Sequence, residues 1–435
     1  MNSSSTSIKS QQSNGQILYL RLLVFSLFFI FGGITSLNDI LLPKLKGLFE
    51  LNYTQAMLTQ SVFFAAYFLV SMPAGYLVRR LGYMASAVIG LLTMTLGCLL
   101  FIPASLSATF AIFLFALFVV AIGITTVQVV ANPLISILGD PSTAHSRLTF
   151  AQAFNALGTT VAPYIGARII LGSLSSTDQK SLAGDALAAF RATETHTIVQ
   201  TYLGIASILA CVSLAVWINR GKLRSVSTKK VRLLSAVDLL RRPRFVFGTI
   251  GIFAYVGAEV SIGSLLVNYL MQPSVFAIDA RTAGEFVAFY WGGAMIGRFV
   301  GAALLRIFSP GKVLSVAAII VLVLLGISAN SVGLLSGWSI LLVGLFNSIM
   351  FPTIFSLACD GLGERAPEGS GLICMAIVGG GILPLLTGFV ADRIGLSAAL
   401  AVPAISYATI ASFGWYTRRR DTSEQPEFAI GHGHP

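Results

Sequence analysis

The sequence predicts an all-α membrane protein, with twelve transmembrane helices in two pseudo-symmetric six-helix bundles. Three observations carry that expectation. Of 435 residues, 55% are hydrophobic and only 10% charged, with a mean hydropathy of +0.84, whereas soluble domains carry about 25% charged residues. Apolar runs long enough to cross ~30 Å of hydrocarbon, roughly 20 residues each, recur along the whole chain. Landmarks also repeat 220 residues apart, pairing Asp39 with Glu259 and Asn132 with Pro352. One residue further apart, Gly158 pairs with Gly379 and Pro163 with Pro384. Repeated halves with a site between them are a transporter architecture.

Taken in order, residues 1–21 form a polar, Ser/Gln-rich tail, with no cleavable signal because the first apolar run is of spanning length. Residues 22–219 form the first bundle, with spans near 22–45, 55–79, 84–104, 109–138, 147–172 and 197–218. A basic linker occupies 220–244. The second bundle, 245–417, has spans near 245–271, 283–306, 312–329, 334–358, 369–391 and 396–417, and 418–435 is a tail. Pro133, Pro163, Pro352 and Pro384 are expected to bend or break their helices.

The net charge of +11 belongs to topology rather than to nucleic acid, because the basic residues fall between apolar runs. Arg220, Lys222, Arg224, Lys229, Lys230, Arg232, Arg241, Arg242 and Arg244 crowd the central linker. Arg79, Arg80 and Arg418 to Arg420 end spans on the same side of a twelve-span count. That side is the cytoplasm by the positive-inside rule, so both termini are expected to be cytoplasmic in a bacterial inner membrane. The lipid bilayer is the one large partner, and a monomer is expected. Cys98, Cys211, Cys359 and Cys374 lie in or beside apolar runs without metal-type spacing. They read as small packing residues. No cofactor and no enzymatic activity are expected.

Function is sought where polarity is expensive. An Asp at a helix centre costs ~2.5–3.5 kcal/mol on insertion scales, and Asp39 lies deep in the first span with Asn38 beside it. Glu259 is the matching acid in span seven. Both are candidates for coupling to a cation, with sodium at Asp39 as one option. Tyr255, one turn before Glu259, offers a bond that would equally make that acid structural. Arg168 and Arg298 read as near-terminal residues able to snorkel, which leaves the interior without a fixed base. That disfavours phosphate esters and dicarboxylates and leaves neutral or cationic substrates.

Amides sharpen the choice. Gln128 and Asn132 are four apart, and Gln152 and Asn155 three apart, so each pair shares a helix face. With Asn38, Asn268 and Asn347 they form the candidate substrate-binding set, since amides both donate to and accept from sugar hydroxyls. Phe28, Phe31, Tyr67, Tyr255, Tyr290 and Trp291 are aromatics able to cover the apolar face of a pyranose. The bland alternative is that the amides are interhelical contacts worth ~0.6 kcal/mol apiece.

Leu37-Asn38-Asp39-Ile40-Leu41-Leu42-Pro43, Gln128-Val129-Val130-Ala131-Asn132-Pro133, Phe150-Ala151-Gln152-Ala153-Phe154-Asn155 and Pro352-Thr353-Ile354-Phe355-Ser356-Leu357 together resemble the fucose permease family of the major facilitator superfamily. Tyr255-Val256-Gly257-Ala258-Glu259-Val260-Ser261-Ile262-Gly263-Ser264 is similar to its glucose/galactose and N-acetylglucosamine branches. The resemblance spans roughly residues 22–415. It implies alternating access and cation-coupled uptake of a sugar such as glucose, galactose, fucose or N-acetylglucosamine. It also implies that Asp39 is the coupling acid and that Gln152 and Asn155 bind sugar. Two departures stand out. Fucose permeases carry a glutamate where this chain has Gln128, which cannot titrate, so sodium coupling becomes an option beside protons. The stretch Gly75-Tyr76-Leu77-Val78-Arg79-Arg80-Leu81-Gly82 lacks the aspartate of the usual arginine-rich signature, which removes the basis for expecting a gate there. A proton-coupled drug exporter is the alternative function. It would favour a Met- and aromatic-lined pocket over paired amides.

Overall fold

In hydrocarbon every backbone polar group must be satisfied within the segment, so a chain this apolar is expected to fold as helices. The computed structural model describes residues 14–49, 53–107, 109–166, 185–220 and 233–421; of several stretches within these, including 38–48, only the backbone is described. The first half contains α1 (Asn14–Leu48), α2 (Tyr53–Leu81), α3 (Tyr83–Leu99), α4 (Phe101–Ser107), α5 (Phe110–Ile137), α6 (Ala144–Gly166) and α7 (Asp185–Ile218). A 3-10 segment, Leu233–Arg241, leads into the second half. There follow α8 (Pro243–Met271), α9 (Ala280–Leu304), α10 (Pro310–Asn330), α11 (Gly333–Asn347), α12 (Met350–Cys359), α13 (Ala366–Met375), α14 (Gly379–Ile394), α15 (Leu396–Ala399) and α16 (Ala401–Asp421).

These helices make twelve spans, because α3–α4, α11–α12, α13–α14 and α15–α16 are each one interrupted span. Three of the interruptions have a proline as their cause. Proline lacks the N–H that the carbonyl four residues earlier would accept, and its ring crowds that carbonyl. Pro103, Pro352 and Pro403 point back to Leu99, Ser348 and Ala399, and the helices α3, α11 and α15 stop at Leu99, Asn347 and Ala399. Pro133 and Pro384 lie inside α5 and α14, which are not interrupted there. The side chain of Pro163 lies outside the described residues, as does Arg168 altogether.

Among the described residues, 11 helical stretches are long and apolar enough to cross a membrane. The span that falls short is α6. It is diluted by His145, Ser146, Arg147, Thr149, Gln152, Asn155, Thr159 and Thr160, so the least apolar span is the one with the most polar groups to place.

The pseudo-symmetry is visible in who packs on whom. In the first half α1 lies against α6, α2 and α3 against α5, and α3 against α7. Shifted by six spans, these become α8 on α14, α9 and α10 on α11, and α10 on α16, and all are present. Contacts between the halves obey the same two-fold: α2 on α13 mirrors α6 on α9, and α5 on α13 mirrors α6 on α12. Glycine permits the approach of α2 to α13. A Cβ on Gly75 would sit 2.7 Å from the Pro367 carbonyl oxygen, and one on Gly371 2.6 Å from that of Ser71. The four cysteines are free; Cys98 and Cys374 are buried, while Cys211 is exposed.

Candidate functional site

Two polar clusters lie among the spans, one in each half. In the first half, α5 carries Gln128 and Asn132 and α6 carries Gln152 and Asn155. The Tyr67 hydroxyl of α2 donates to Gln128 Oε1 at 2.8 Å. Gln152 Nε2 donates to Asn132 Oδ1 at 3.3 Å, so the two amide pairs meet. Asn155 Nδ2 donates to the Phe28 carbonyl of α1 at 3.3 Å, where Gly32 leaves room for it. Gln128 and Gln152 are 7% and 5% exposed, and Asn132 is fully buried behind them. Phe154 stacks on Phe25 at 4.9 Å, with Phe150 edge-on to both.

The second half places an acid among tyrosines. Tyr255 donates to Glu259 Oε1 at 2.8 Å and lies 3.2 Å from the Asn347 carbonyl oxygen at the α11 terminus. Asn347 Nδ2 in turn donates to the Tyr290 hydroxyl at 2.9 Å. Glu259 is partly exposed, whereas Tyr255, Tyr290, Tyr407 and Asn347 are buried. Among the described residues, Asn347 Oδ1 has no hydrogen-bond partner, and the Tyr407 hydroxyl interacts with the Asn347 side chain. Arg298 on α9 interacts electrostatically with both Glu259 and Tyr255. The expectation of an interior without a fixed base is therefore corrected. Arg298 sits in the helix rather than past its end, and its Nε is buried.

The predicted residues divide accordingly. Gln128, Asn132, Gln152 and Asn155 come together on one side, and Glu259 and Asn347 on the other. Asn268 is exposed on α8 and joins neither cluster. Asn38 and Asp39 lie on α1, and their side chains are outside the described residues. Of the aromatics, Phe28 and Phe31 are buried packing residues, Tyr255 and Tyr290 are buried with their hydroxyls in the Glu259–Asn347 cluster, and Trp291 is 44% exposed. Tyr67, expected as an aromatic cover, and Arg298, expected to snorkel, instead engage Gln128 and Glu259 on other helices, which sequence spacing could not reveal.

A third cluster joins the halves on the side of the central linker. Arg79, at the end of α2, pairs with Glu368 of α13 at 3.3 Å and donates to the Glu364 carbonyl at 2.9 Å. The other Glu368 oxygen accepts from Arg365 at 2.9 Å, and Arg365 also pairs with Asp238 of the 3-10 segment. That hydrogen-bonded guanidinium holds the exposed Asp238 carboxyl below the usual range. Both Arg79 and Glu368 are buried, at 8% and 5%. The missing aspartate of the 75–82 stretch thus does not leave that loop unengaged, because the opposite half supplies the carboxylate. Among the described residues, the symmetry-related contact is made without an ion pair. Ser146 of α6 donates to the Ala302 carbonyl at 2.7 Å and accepts from Arg306 at 3.2 Å. His145 Nδ1 lies 2.5 Å from the Ser356 hydroxyl.

Residues 23–377 match the Major Facilitator Superfamily profile. The chain is 49% identical over 390 residues to the glucose/galactose transporter of Brucella abortus, covering 89% of this chain and 91% of that one. It is 35% identical over 425 residues to the L-fucose-proton symporter of Escherichia coli, covering 95% and 96%. The crystal structure of that symporter in the outward conformation superposes with a TM-score of 0.85 at 32% identity, covering 92% of this chain and 99% of that one.

Proposed function

Because the chain belongs to the fucose permease family of the Major Facilitator Superfamily, we propose that it imports a neutral hexose by symport with a cation through alternating access. The observation that carries this is the amide set Gln128, Asn132, Gln152 and Asn155, gathered on adjoining helices without a fixed charge among them. Such groups match hydroxyls, and a relative named for glucose and galactose is 49% identical over 390 residues. The exporter alternative loses favour beside relatives named for sugars.

In this reading the halves rock about a site near the membrane midplane. The side closed by Arg79–Glu368 carries the basic linker, so it is the cytoplasmic side and the site faces outward. A ligand shifts such an equilibrium only through different affinities for the two states. An ionised Asp39 or Glu259 resists enclosure in a drying gap, and a bound proton or sodium ion removes that resistance. Sugar hydroxyls satisfy the amides at the same moment. The working unit is a monomer in the bacterial inner membrane, with both termini in the cytoplasm.

Uptake of labelled glucose, galactose, fucose and N-acetylglucosamine into vesicles tests the proposal. Accumulation of at least one, driven by an imposed proton or sodium gradient and identifying the ion, is the expected result. Absence of uptake for every sugar under both gradients would overturn it.

A further inference from the structure

The amide cluster has a polarity that its buried neighbours impose. A glutamine side chain offers one acceptor end and one donor end, and whichever end is held inside decides what the other presents. Tyr67 is 7% exposed, and the one hydrogen bond its hydroxyl makes among the described residues goes to Gln128 Oε1. The carbonyl end of Gln128 is therefore the held end, and its Nε2 has no partner among the described residues. At Gln152 the opposite end is held: Nε2 is given to Asn132 Oδ1, and Oε1 has no partner among the described residues. Asn132 is fully buried; among the described residues its own Nδ2 makes no hydrogen bond, and its side chain interacts with the Cys374 thiol of α13.

We propose that Tyr67 is a specificity-determining positioning residue, which fixes Gln128 as a hydrogen-bond donor to substrate while Asn132 fixes Gln152 as an acceptor. This rests on the sugar reading above and extends it. The substrate must then present a lone pair to Gln128 and a hydroxyl hydrogen to Gln152. The identity of residue 128 is part of the device. A glutamate there would take the Tyr67 proton on one oxygen and turn a second acceptor toward the substrate, reversing the polarity of that subsite.

Monodeoxy and monofluoro analogues distinguish donor from acceptor subsites, because fluorine keeps lone pairs but has no proton to give. The experiment measures competition by D-glucose and D-galactose analogues against counterflow of the parent sugar in reconstituted vesicles. Wild type should show one position where the fluoro analogue competes within about threefold of the parent while the deoxy analogue loses about tenfold or more. At a second position both analogues should lose about tenfold. In Tyr67→Phe the fluoro/deoxy difference at the first position should shrink below about twofold, with the second position unchanged. Gln128→Glu should make fluoro as poor as deoxy there. A merely structural role for Tyr67 would weaken all analogues alike and overturn the inference, as would an unchanged pattern in both variants. Lack of counterflow by wild type with either sugar, with L-fucose and with N-acetylglucosamine would overturn the sugar reading itself. A wild-type pattern with no fluoro-tolerant position would overturn only the polarity.

Discussion

The two halves repeat one packing scheme yet line the space between them with different chemistry. An acid occurs at the same repeat position in each, Asp39 in one and Glu259 in the other. The amides do not repeat. The positions matching Gln128, Asn132, Gln152 and Asn155 in the second half are Ser348, Pro352, Ile373 and Ala376. In their place the second half has tyrosines and Asn347 arranged behind Glu259. The contact between halves is asymmetric in the same way: a buried ion pair joins α2 to α13, and hydrogen bonds join α6 to α9 and α12. Under the proposed function, the difference would separate what both halves need, a charge that responds to a cation, from recognition of the sugar, which that proposal assigns to the first half.

The largest expected effect lies at the asymmetric contact. Removing one partner of a buried ion pair typically costs about 3–5 kcal/mol, so Glu368→Ala should bias the protein away from the state closed on the linker side. Alkylation of Cys374, fully buried on α13, should speed up markedly in that variant. An unchanged rate would mean that the ion pair does not hold the halves together.

Next in size are Gln152→Ala and Asn155→Ala. Each should weaken sugar binding by about 1–3 kcal/mol, the range for a buried group left unpaired, while the protein remains folded. Binding titrations at wild-type affinity for both variants would reduce these amides to packing. The corresponding change in the second half, Glu259→Gln, should leave binding near wild type and impair gradient-driven uptake. Normal uptake would show that the bond from Tyr255 makes Glu259 structural. The smallest effect is Ser146→Ala, which removes hydrogen bonds worth about 1 kcal/mol at the neutral contact. Its Cys374 alkylation should stay close to wild type, and a response equal to that of Glu368→Ala would erase the distinction between the two contacts.

Much of the fold was legible because lipid leaves the backbone few choices, and periodicity placed Gln128 with Asn132 and Gln152 with Asn155. Local rules reach only a turn or so along one helix. They could not tell that Asn132 and Asn347 would be buried behind their neighbours, or that Asn268 would lie exposed. Tyr67 finds Gln128 across 61 residues, and Glu368 reaches Arg79 from the other half; such pairings depend on how helices pack. The helix breaks were half legible. Pro352 behaved as its chemistry dictates, whereas Pro133 and Pro384 lie inside helices that are not interrupted at them.

The separation of coupling from recognition meets its most direct test at Asp39. In one vesicle preparation, exchange of labelled sugar at equal concentrations and accumulation against a gradient are measured for Asp39→Asn. The account predicts that exchange persists, because the amides are intact and the neutral residue mimics the cation-loaded form, while accumulation is lost. Full accumulation by Asp39→Asn would contradict it.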